Sequence, residues 1–199
     1  MTSQRMTAEA RRAELVEAAG RAIVAHGVGG FRVRDVADEA GVSQPLVSNH
    51  FRSREELVRE AFVQADERAT AVITERSAPA RDALAALRIE LLLCLDDQGD
   101  PTVAQAWRLW QELWTHGMVT PELRDVIAER QSAWIARIEQ LIARGEEDGS
   151  VRAGVDREAA ALLLTTLVDG LGPSLRWGFV DLATATTMLD DALRERLAA

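Results

Sequence analysis

Cysteine, histidine and long apolar runs are scarce in this sequence of 199 residues, and each scarcity excludes a class of protein. The single Cys94 cannot form an internal disulfide, which argues against a disulfide-stapled secreted domain and favours a reducing compartment. No apolar run approaches the roughly 18 residues of a membrane span, and residues 1–15 lack the apolar stretch of a signal peptide. We therefore expect a cytoplasmic protein without membrane association.

The motifs of metal sites and enzymes are also missing. Three scattered histidines do not have the spacing of metal ligands, and no serine or cysteine stands in a recognisable pairing with a histidine. The segment Gly27–Gly30 is rich in glycine, but neither a strand before it nor a Gly-Lys-Ser after it completes a phosphate loop. We expect no cofactor, no metal and no enzymatic activity. His26, on an apolar stripe, and Cys94, in a leucine run, are both expected in the core.

The net charge of −9 is unevenly distributed along the chain. Residues 1–60 hold nine Arg and nine acidic residues, whereas residues 61–199 hold 14 Arg and 23 acidic residues. The acidity therefore belongs to the second part of the chain, and the first part is neutral overall. A nucleic-acid partner remains compatible with the first part, which carries four Arg in residues 32–54.

Residues 33–51 have the pattern of two short helices joined by a tight turn. Apolar residues at 33, 36, 37 and 40 recur with the spacing of a one-sided helix. Gly41 follows as a left-handed stop, and Ser43 is a suitable N-cap for the next helix. Pro45 falls in the first turn of that helix, where its missing N–H is not needed.

This second helix directs Val47 and Phe51 to one side and an uncharged polar surface to the other. We call that surface the reading face, and it comprises Gln44, Pro45, Ser48 and Asn49. A helix, a glycine turn and a helix with such side chains form a helix-turn-helix, whose second helix enters the DNA major groove. The spacing alone also fits a capped helical hairpin that binds nothing.

A longer signature extends from Asp35 to Leu57. It consists of Asp35-Val36-Ala37, Ala40-Gly41-Val42-Ser43, Val47, His50-Phe51 and Ser53-Arg54-Glu55-Glu56-Leu57. These residues resemble the DNA-binding signature of the TetR/AcrR family of bacterial one-component regulators. One position departs from the family pattern, because Ser48 stands where a tyrosine that contacts DNA is usual.

The resemblance implies an all-α fold of about nine helices, in which an N-terminal three-helix DNA-binding unit precedes a helical effector-binding and dimerisation domain. We place the first domain at residues 1–53 and the second at residues 54–199. Helical periodicity with capped starts continues through the second domain, and residues 159–177 resemble the C-terminal domain of betaine-synthesis regulators in this family.

Expected DNA contacts follow from the chemistry of the side chains and from the resemblance. Gln44, Ser48 and Asn49 are the candidates for base edges, with glutamine and asparagine suited to adenine. The candidates for phosphate contacts are Arg34, Ser43, Arg54 and His50, and for His50 a structural role is the alternative. Among them, Arg54 takes the position where the family usually has a lysine that clamps the DNA backbone.

Four tryptophans are the candidate effector residues. Trp107, Trp110 and Trp114 recur at i, i+3 and i+7 on the sixth predicted helix, and Trp134 lies on the seventh. Such a stripe is more often core than ligand site, but the resemblance implies an effector cavity among these helices. With Gln111, Glu112 or Glu90 nearby, the rings would suit an aromatic or cationic molecule.

The last two predicted helices are too apolar to be one-sided. Small residues between their leucines allow close helix approach, and the candidate contacts are Leu163, Thr166, Leu167, Gly170, Ser174, Leu182, Leu189 and Leu193. Similar regulators pair these helices with their symmetry mates, so the resemblance implies a two-fold homodimer. The alternative is that both helices pack only against their own chain.

The sequence thus predicts a ligand-responsive transcriptional regulator. We expect a repressor whose dimer binds a palindromic operator in double-stranded DNA and is released by a small-molecule effector. The alternative is an all-helical protein that binds a small molecule and regulates no gene.

Overall fold

The computed structural model of the protein describes residues 7–96 and 99–198, and α-helices account for most of them. The helices are α1 (Ala8–Gly30), α2 (Val33–Ala40), α3 (Gln44–His50), α4 (Arg54–Ser77), α5 (Ala83–Leu95), α6 (Pro101–Gly117), α7 (Pro121–Asp148), α8 (Arg157–Arg176) and α9 (Leu182–Leu197). The predicted all-α fold of about nine helices is confirmed. Within the described ranges, no helix has the length and apolarity needed to cross a membrane.

Side-chain caps determine where most of these helices begin. Asp156 accepts a hydrogen bond from the N–H of Ala159 at the start of α8, and Asp181 does the same for Thr184 at the start of α9. Both starts were predicted. Helix α5 begins at Ala83 and not at residue 80, because Asp82 is its N-cap and accepts the N–H of Ala85 at 2.7 Å.

The described chain forms two compact units. The first contains residues 7–68 and 105–127, and the second contains residues 69–96, 99–104 and 128–198. The boundaries between the units fall inside α4, α6 and α7. The compact units therefore differ from the functional domains expected at residues 1–53 and 54–199, which stay a prediction.

The core of the first unit is built from all the helices that enter it. Leu15 and Ile23 of α1 are fully buried there, together with Val36 of α2 and Val47 of α3. Leu57 and Phe62 of α4, Leu109 and Leu113 of α6 and Leu123 of α7 complete this core. Helices α2 and α3 are too short to be stable on their own. Their orientation is therefore fixed by the side chains that they bury in this shared core.

In the second unit, α5 packs against α8 and α9. The buried side chains of these three helices include Leu87, Leu91, Leu164, Val168 and Leu189. Cys94 near the end of α5 is buried, as predicted.

The end of α1 differs from the expectation in one respect. Gly27 adopts φ 72° and ψ 157°, so the chain bends there and resumes a short helical turn to Gly30. This bend brings Val28 into the core and leaves His26 exposed, so the prediction of a core histidine at position 26 is wrong. A positive φ is tolerated at this position because glycine has no Cβ.

Candidate functional site

The predicted helix-turn-helix is present in the first unit. Helix α2 ends at Gly41, whose φ of 63° and ψ of 34° place it in the left-handed region. The N–H of Val42 returns to the carbonyl of Ala37 at 2.9 Å and closes the turn. Helix α3 then starts after Ser43, with Pro45 in its first turn. The local sequence thus determines this turn through one glycine and one proline.

The reading face is exposed as predicted. Gln44, Pro45, Ser48 and Asn49 are all exposed, whereas Val47 on the opposite side of α3 is fully buried. Within the residues that the structure describes, no side-chain hydrogen bond ties Gln44, Ser48 or Asn49 to a neighbour. The hydroxyl of Ser43 is exposed and makes no cap bond. These amide and hydroxyl groups are therefore available to an external partner.

An arginine from α1 holds the C-terminal end of α3. The guanidinium of Arg12 donates to the backbone carbonyl of His50 and lies 4.3 Å from the centre of the Phe51 ring. It also donates to the carboxylates of Glu56 at 3.1 Å and Glu60 at 2.5 Å, both on α4. Arg12 thus connects α1, α3 and α4, and we call this set of contacts the Arg12 clamp.

The carboxylate of Glu56 belongs to both the clamp and the start of α4. It accepts the backbone N–H of Arg52 at 2.7 Å, and this bond is the main reason why the pKa of Glu56 is lowered. The Arg12 guanidinium lowers that pKa further. Ser53 caps the same helix by accepting the N–H of Glu56 at 3.0 Å.

A second arginine fixes the entrance of the helix-turn-helix. Arg54 donates to the carbonyls of Val28 and Phe31, and its guanidinium carbon lies 4.4 Å from the centre of the Phe31 ring. The side chain that was expected at a phosphate is therefore engaged inside the protein. Arg34, by contrast, is exposed on α2 and has no ion-pair partner in the described chain.

The sequence does not reveal the tertiary contacts of Arg12 and Arg54. Arg12 contacts residues that lie 38 to 48 positions further along the chain, and helical periodicity carries no information about such pairs. The sequence identifies Arg54 as a basic residue in the right place, but its contacts with Val28 and Phe31 depend on the bend in α1. The structure therefore separates arginines that hold the fold from those that face solvent.

The candidate effector residues divide between the two units. Trp107, Trp110, Gln111 and Trp114 lie in the first unit, and Trp134 lies in the second. Trp110 is only 8% exposed and packs against Phe62 with ring centres 5.7 Å apart. Trp114 is 40% exposed, and the centre of its ring lies 5.4 Å from the centre of the Trp110 ring. The partly buried Trp107 packs against the same core. Trp110 therefore contributes to the core, and Trp114 is the accessible ring of the stripe.

The second unit contains a polar cavity of about 490 Å³ beside α4, α5 and α7. Glu90 in its wall is 4% exposed and accepts two hydrogen bonds from Arg137, each at 2.7 Å. Ser77 donates a third bond to the same carboxylate at 2.7 Å. No tryptophan lines this cavity. The buried carboxylate in its wall is thus already paired, and the cavity differs in chemistry from the predicted aromatic site.

The residues expected at a dimer interface fall into three groups. Leu163, Thr166, Gly170 and Leu182 are exposed, and Leu167 and Ser174 are partly buried. Leu189 and Leu193 are buried inside their own unit, because this side of α9 packs against the same chain. The prediction that these two residues contact a second subunit is therefore wrong. Leu162 and Met188 are exposed apolar residues of α8 and α9 that the helical periodicity did not single out.

Comparisons with known proteins agree with this architecture. Residues 15–61 match the family profile described as bacterial regulatory proteins, tetR family. Residues 80–198 match the profile described as BetI-type transcriptional repressor, C-terminal. The chain is 26% identical over 165 residues to the HTH-type transcriptional regulator PksA of Bacillus subtilis. The aligned region covers 82% of this chain and 77% of PksA.

Two solved structures share the fold. A proposed TetR-family transcriptional regulator from Rhodococcus sp. is 29% identical and superposes with a TM-score of 0.83, covering 94% of this chain and 98% of the other. A proposed transcriptional regulator from Saccharomonospora viridis, determined in complex with choline, is 24% identical. It superposes with a TM-score of 0.84 over 96% of this chain and 99% of the other.

Proposed function

The chain belongs to the TetR family of bacterial regulatory proteins, and we propose that it is a repressor that binds a palindromic operator as a homodimer and is released by a small-molecule effector. Transcription regulation through DNA binding is the function of this family. The observation that carries the proposal is the reading face, which is polar, exposed and unbonded, on a helix that the rest of the unit holds in place.

Base recognition is assigned to three side chains of α3. Gln44 and Asn49 each have an amide that can donate and accept toward an adenine, and the hydroxyl of Ser48 can pair with any base edge. The side chain of Pro45 has no hydrogen-bond donor or acceptor, so it would make an apolar contact with a thymine methyl group. Because all four residues are exposed on the same side, one helix could present them to one groove.

Phosphate contacts are assigned to residues beside the reading face. Arg34 is exposed and supplies a full positive charge, and the unbonded hydroxyl of Ser43 supplies a donor. His50 is partly exposed at the end of α3 and could donate from its ring. Arg54 remains a candidate because its side chain is 33% exposed, although its main partners are backbone carbonyls. These contacts would set the orientation of the protein on DNA without reading sequence.

An operator selection followed by a mobility-shift titration tests DNA recognition. Sequences bound by the wild type are selected from random duplex DNA and compared with scrambled duplexes of the same composition. Asn49→Ala should weaken operator binding by about 1–3 kcal/mol and relax the preference at one base pair of each half-site. A protein that binds scrambled and selected DNA equally would contradict operator recognition and favour the alternative of a ligand-binding protein.

The exposed apolar side chains of α8 and α9 support a homodimer. Leu162, Leu163, Leu182 and Met188 are large, apolar and exposed on these two helices. Exposed Gly170 is small enough to allow close helix approach. Several large apolar side chains exposed on two helices that pack together are typical of an interaction surface. A two-fold pairing through one such surface would give the two reading faces that a palindrome requires.

Light scattering of the purified protein tests the dimer directly. We expect the mass of a dimer for the wild type and the mass of a monomer for Leu163→Glu, because a charge would be buried in the interface. Met118→Glu is the matched control, since Met118 is exposed and apolar but lies in the first unit. A monomeric wild type, or an equal effect of both substitutions, would contradict the proposed interface.

The effector is assigned to the class of quaternary ammonium compounds. One relative of the same fold was determined with choline, and the exposed ring of Trp114 offers the aromatic surface that such a cation prefers. Trp107 and Gln111 of the same unit are the further candidates for this site, and Trp134 of the second unit stays a separate candidate. A ligand releases DNA only if its affinity differs between the DNA-bound and the free conformation.

Choline chloride is the first probe for this assignment. Trp177 is exposed on the loop after α8 and would add unrelated fluorescence, so the titration uses a Trp177→Phe background. We expect a saturable change in tryptophan fluorescence and release of a labelled operator over the same concentration range. The response should be lost in Trp114→Ala. A response that is unchanged in that variant would exclude Trp114 from the site.

A further inference from the structure

The bend in α1 separates a backbone donor from its helix. The ψ of 157° at Gly27 turns the next peptide group away from the helical direction, so the N–H of Val28 points away from the α1 ladder. Val28 is 2% exposed, and a buried N–H without a partner would be costly. A carboxylate oxygen of Glu112 accepts this N–H at 3.1 Å. Glu112 belongs to α6 and lies 84 residues further along the chain.

The same residue is held from its other side. The carbonyl of Val28 accepts a hydrogen bond from Arg54 at the start of α4. Arg54 also reaches the carbonyl of Phe31, two residues before α2 begins. The short turn between α1 and α2 is therefore fixed by one acidic residue from α6 and one basic residue from α4.

The close approach of α1 and α6 supports a specific contact between the bend at Gly27 and Glu112. A Cβ atom added to Gly27 would lie 3.1 Å from the Glu112 carboxylate, and one added to Gly20 would lie 3.0 Å from the side-chain amide nitrogen of Gln105. Both pairs are seven residues apart on their own helices, so the two helices keep one register over two turns. A Cβ atom at position 27 would therefore crowd the carboxylate and require it to shift by a few tenths of an ångström.

We propose that Glu112 is a positioning residue for DNA reading, which caps the α1 bend from α6 and thereby sets the orientation of the helix-turn-helix. The assignment rests on the proposed function, because it concerns the geometry in which a dimer presents two reading faces. A displacement of α6 is transmitted through the Glu112 carboxylate to Val28 and from there to the turn before α2. Glu112 itself lies outside the reading face and touches no base.

The test measures the affinity of the protein for operators that differ in the spacing of their half-sites. Wild type and variants are titrated against the selected operator and against two operators whose half-sites are one base pair closer or further apart. Glu112→Met keeps most of the side-chain volume and removes the acceptor. We expect about tenfold weaker binding of the selected operator and a similar loss of discrimination between the three spacings, since a bond to a charged acceptor is worth roughly that factor.

Two further variants separate positioning from general damage. Glu112→Gln retains an acceptor oxygen and should restore affinity and spacing preference to within about twofold of the wild type. Thr115→Val is the control on α6, because Thr115 is exposed and its hydroxyl bonds to the Gln111 carbonyl within the same helix. Circular dichroism at the assay temperature verifies folding of every variant, and Glu112→Leu replaces Glu112→Met if the latter is unfolded.

Two results would overturn the inference. One is a folded variant without the acceptor that keeps wild-type affinity and spacing preference. The other is an equal loss of affinity for all three operators, which a smaller folded fraction alone would produce. If the wild type itself binds no selected operator, the proposed function is contradicted. This result is distinguishable from a failure of the Glu112 inference because it is obtained without any variant.

Discussion

Replacing Arg12 by glutamine should destabilise the first unit, because one guanidinium joins three helices. Two partly exposed ion pairs contribute about 0.2–1 kcal/mol each, and the contact with the Phe51 ring adds about 0.5–1 kcal/mol. The bond to the His50 carbonyl adds about 1 kcal/mol. After a discount for the 33% exposure of the side chain, we expect a loss of about 2–3 kcal/mol in the free energy of unfolding.

The neighbouring arginine provides the matched control. Arg11 pairs with Glu14, three residues away on the same helix, and its side chain is 32% exposed, about as much as the 33% of Arg12. Arg11→Gln changes the charge in the same way and should cost only about 0.2–0.5 kcal/mol. Any larger effect of Arg12→Gln therefore reports the tertiary contacts and not the removal of a positive charge.

Urea unfolding followed by tryptophan fluorescence is the assay. Trp107, Trp110 and Trp114 lie in the first unit, which contains Arg12, so the assay uses a background with Trp134→Phe and Trp177→Phe to restrict the signal to that unit. Protein concentration is held constant, because association shifts the apparent stability. If Arg12→Gln and Arg11→Gln gave the same midpoint and slope, the Arg12 clamp would have no energetic role and the reasoning would be refuted.

Three further predictions concern the turn, the phosphate contacts and acid stability. Gly41→Ala should cost about 1–2 kcal/mol in thermal unfolding, because φ is 63° there although an added Cβ meets nothing within 4 Å; an unchanged midpoint would contradict this. Arg34→Ala should weaken binding to all sequences alike and reduce the salt slope by about 1 for each phosphate that is no longer neutralised, as titrations at several salt concentrations would reveal. The lowered pKa of Glu56 stabilises the fold above the ordinary value of 4.5, and this contribution should disappear as pH falls through the lowered pKa. Unfolding midpoints from pH 7 to pH 3 should accordingly drop less for Glu56→Gln than for the wild type.

Local sequence signals were sufficient for the helices and for the exposed side of α3. Gly41 and Pro45 act within a few residues of their own position, and the structure places both in their predicted roles, whereas Ser43 takes the N-cap position of α3 without making a side-chain cap bond. The aspartate caps of α8 and α9 are equally local. Start and stop signals of this kind depend on backbone groups in the next turn, so a single sequence reveals them.

Features that depend on partners far along the chain could not be predicted in this way. The apolar stripe of α1 predicted a buried His26, because the positive φ of Gly27 and its consequence for Val28 were not apparent from spacing. The stripe of α9 likewise suggested that Leu189 and Leu193 face a second subunit, although α9 buries them in its own unit. Periodicity identifies an apolar side of a helix but not what covers it.

The arginines show why this limit matters for function. Arg34 and Arg54 both flank the reading face in the sequence, and both were assigned to phosphates. The structure leaves Arg34 exposed and directs Arg54 to the carbonyls of the α1 turn, so the two residues should respond differently to substitution. Loss of Arg34 removes a long-range charge, whose effect depends on salt. Loss of Arg54 also releases the turn before α2, and the part of its effect on DNA binding that acts through the geometry of the reading face should persist at high salt.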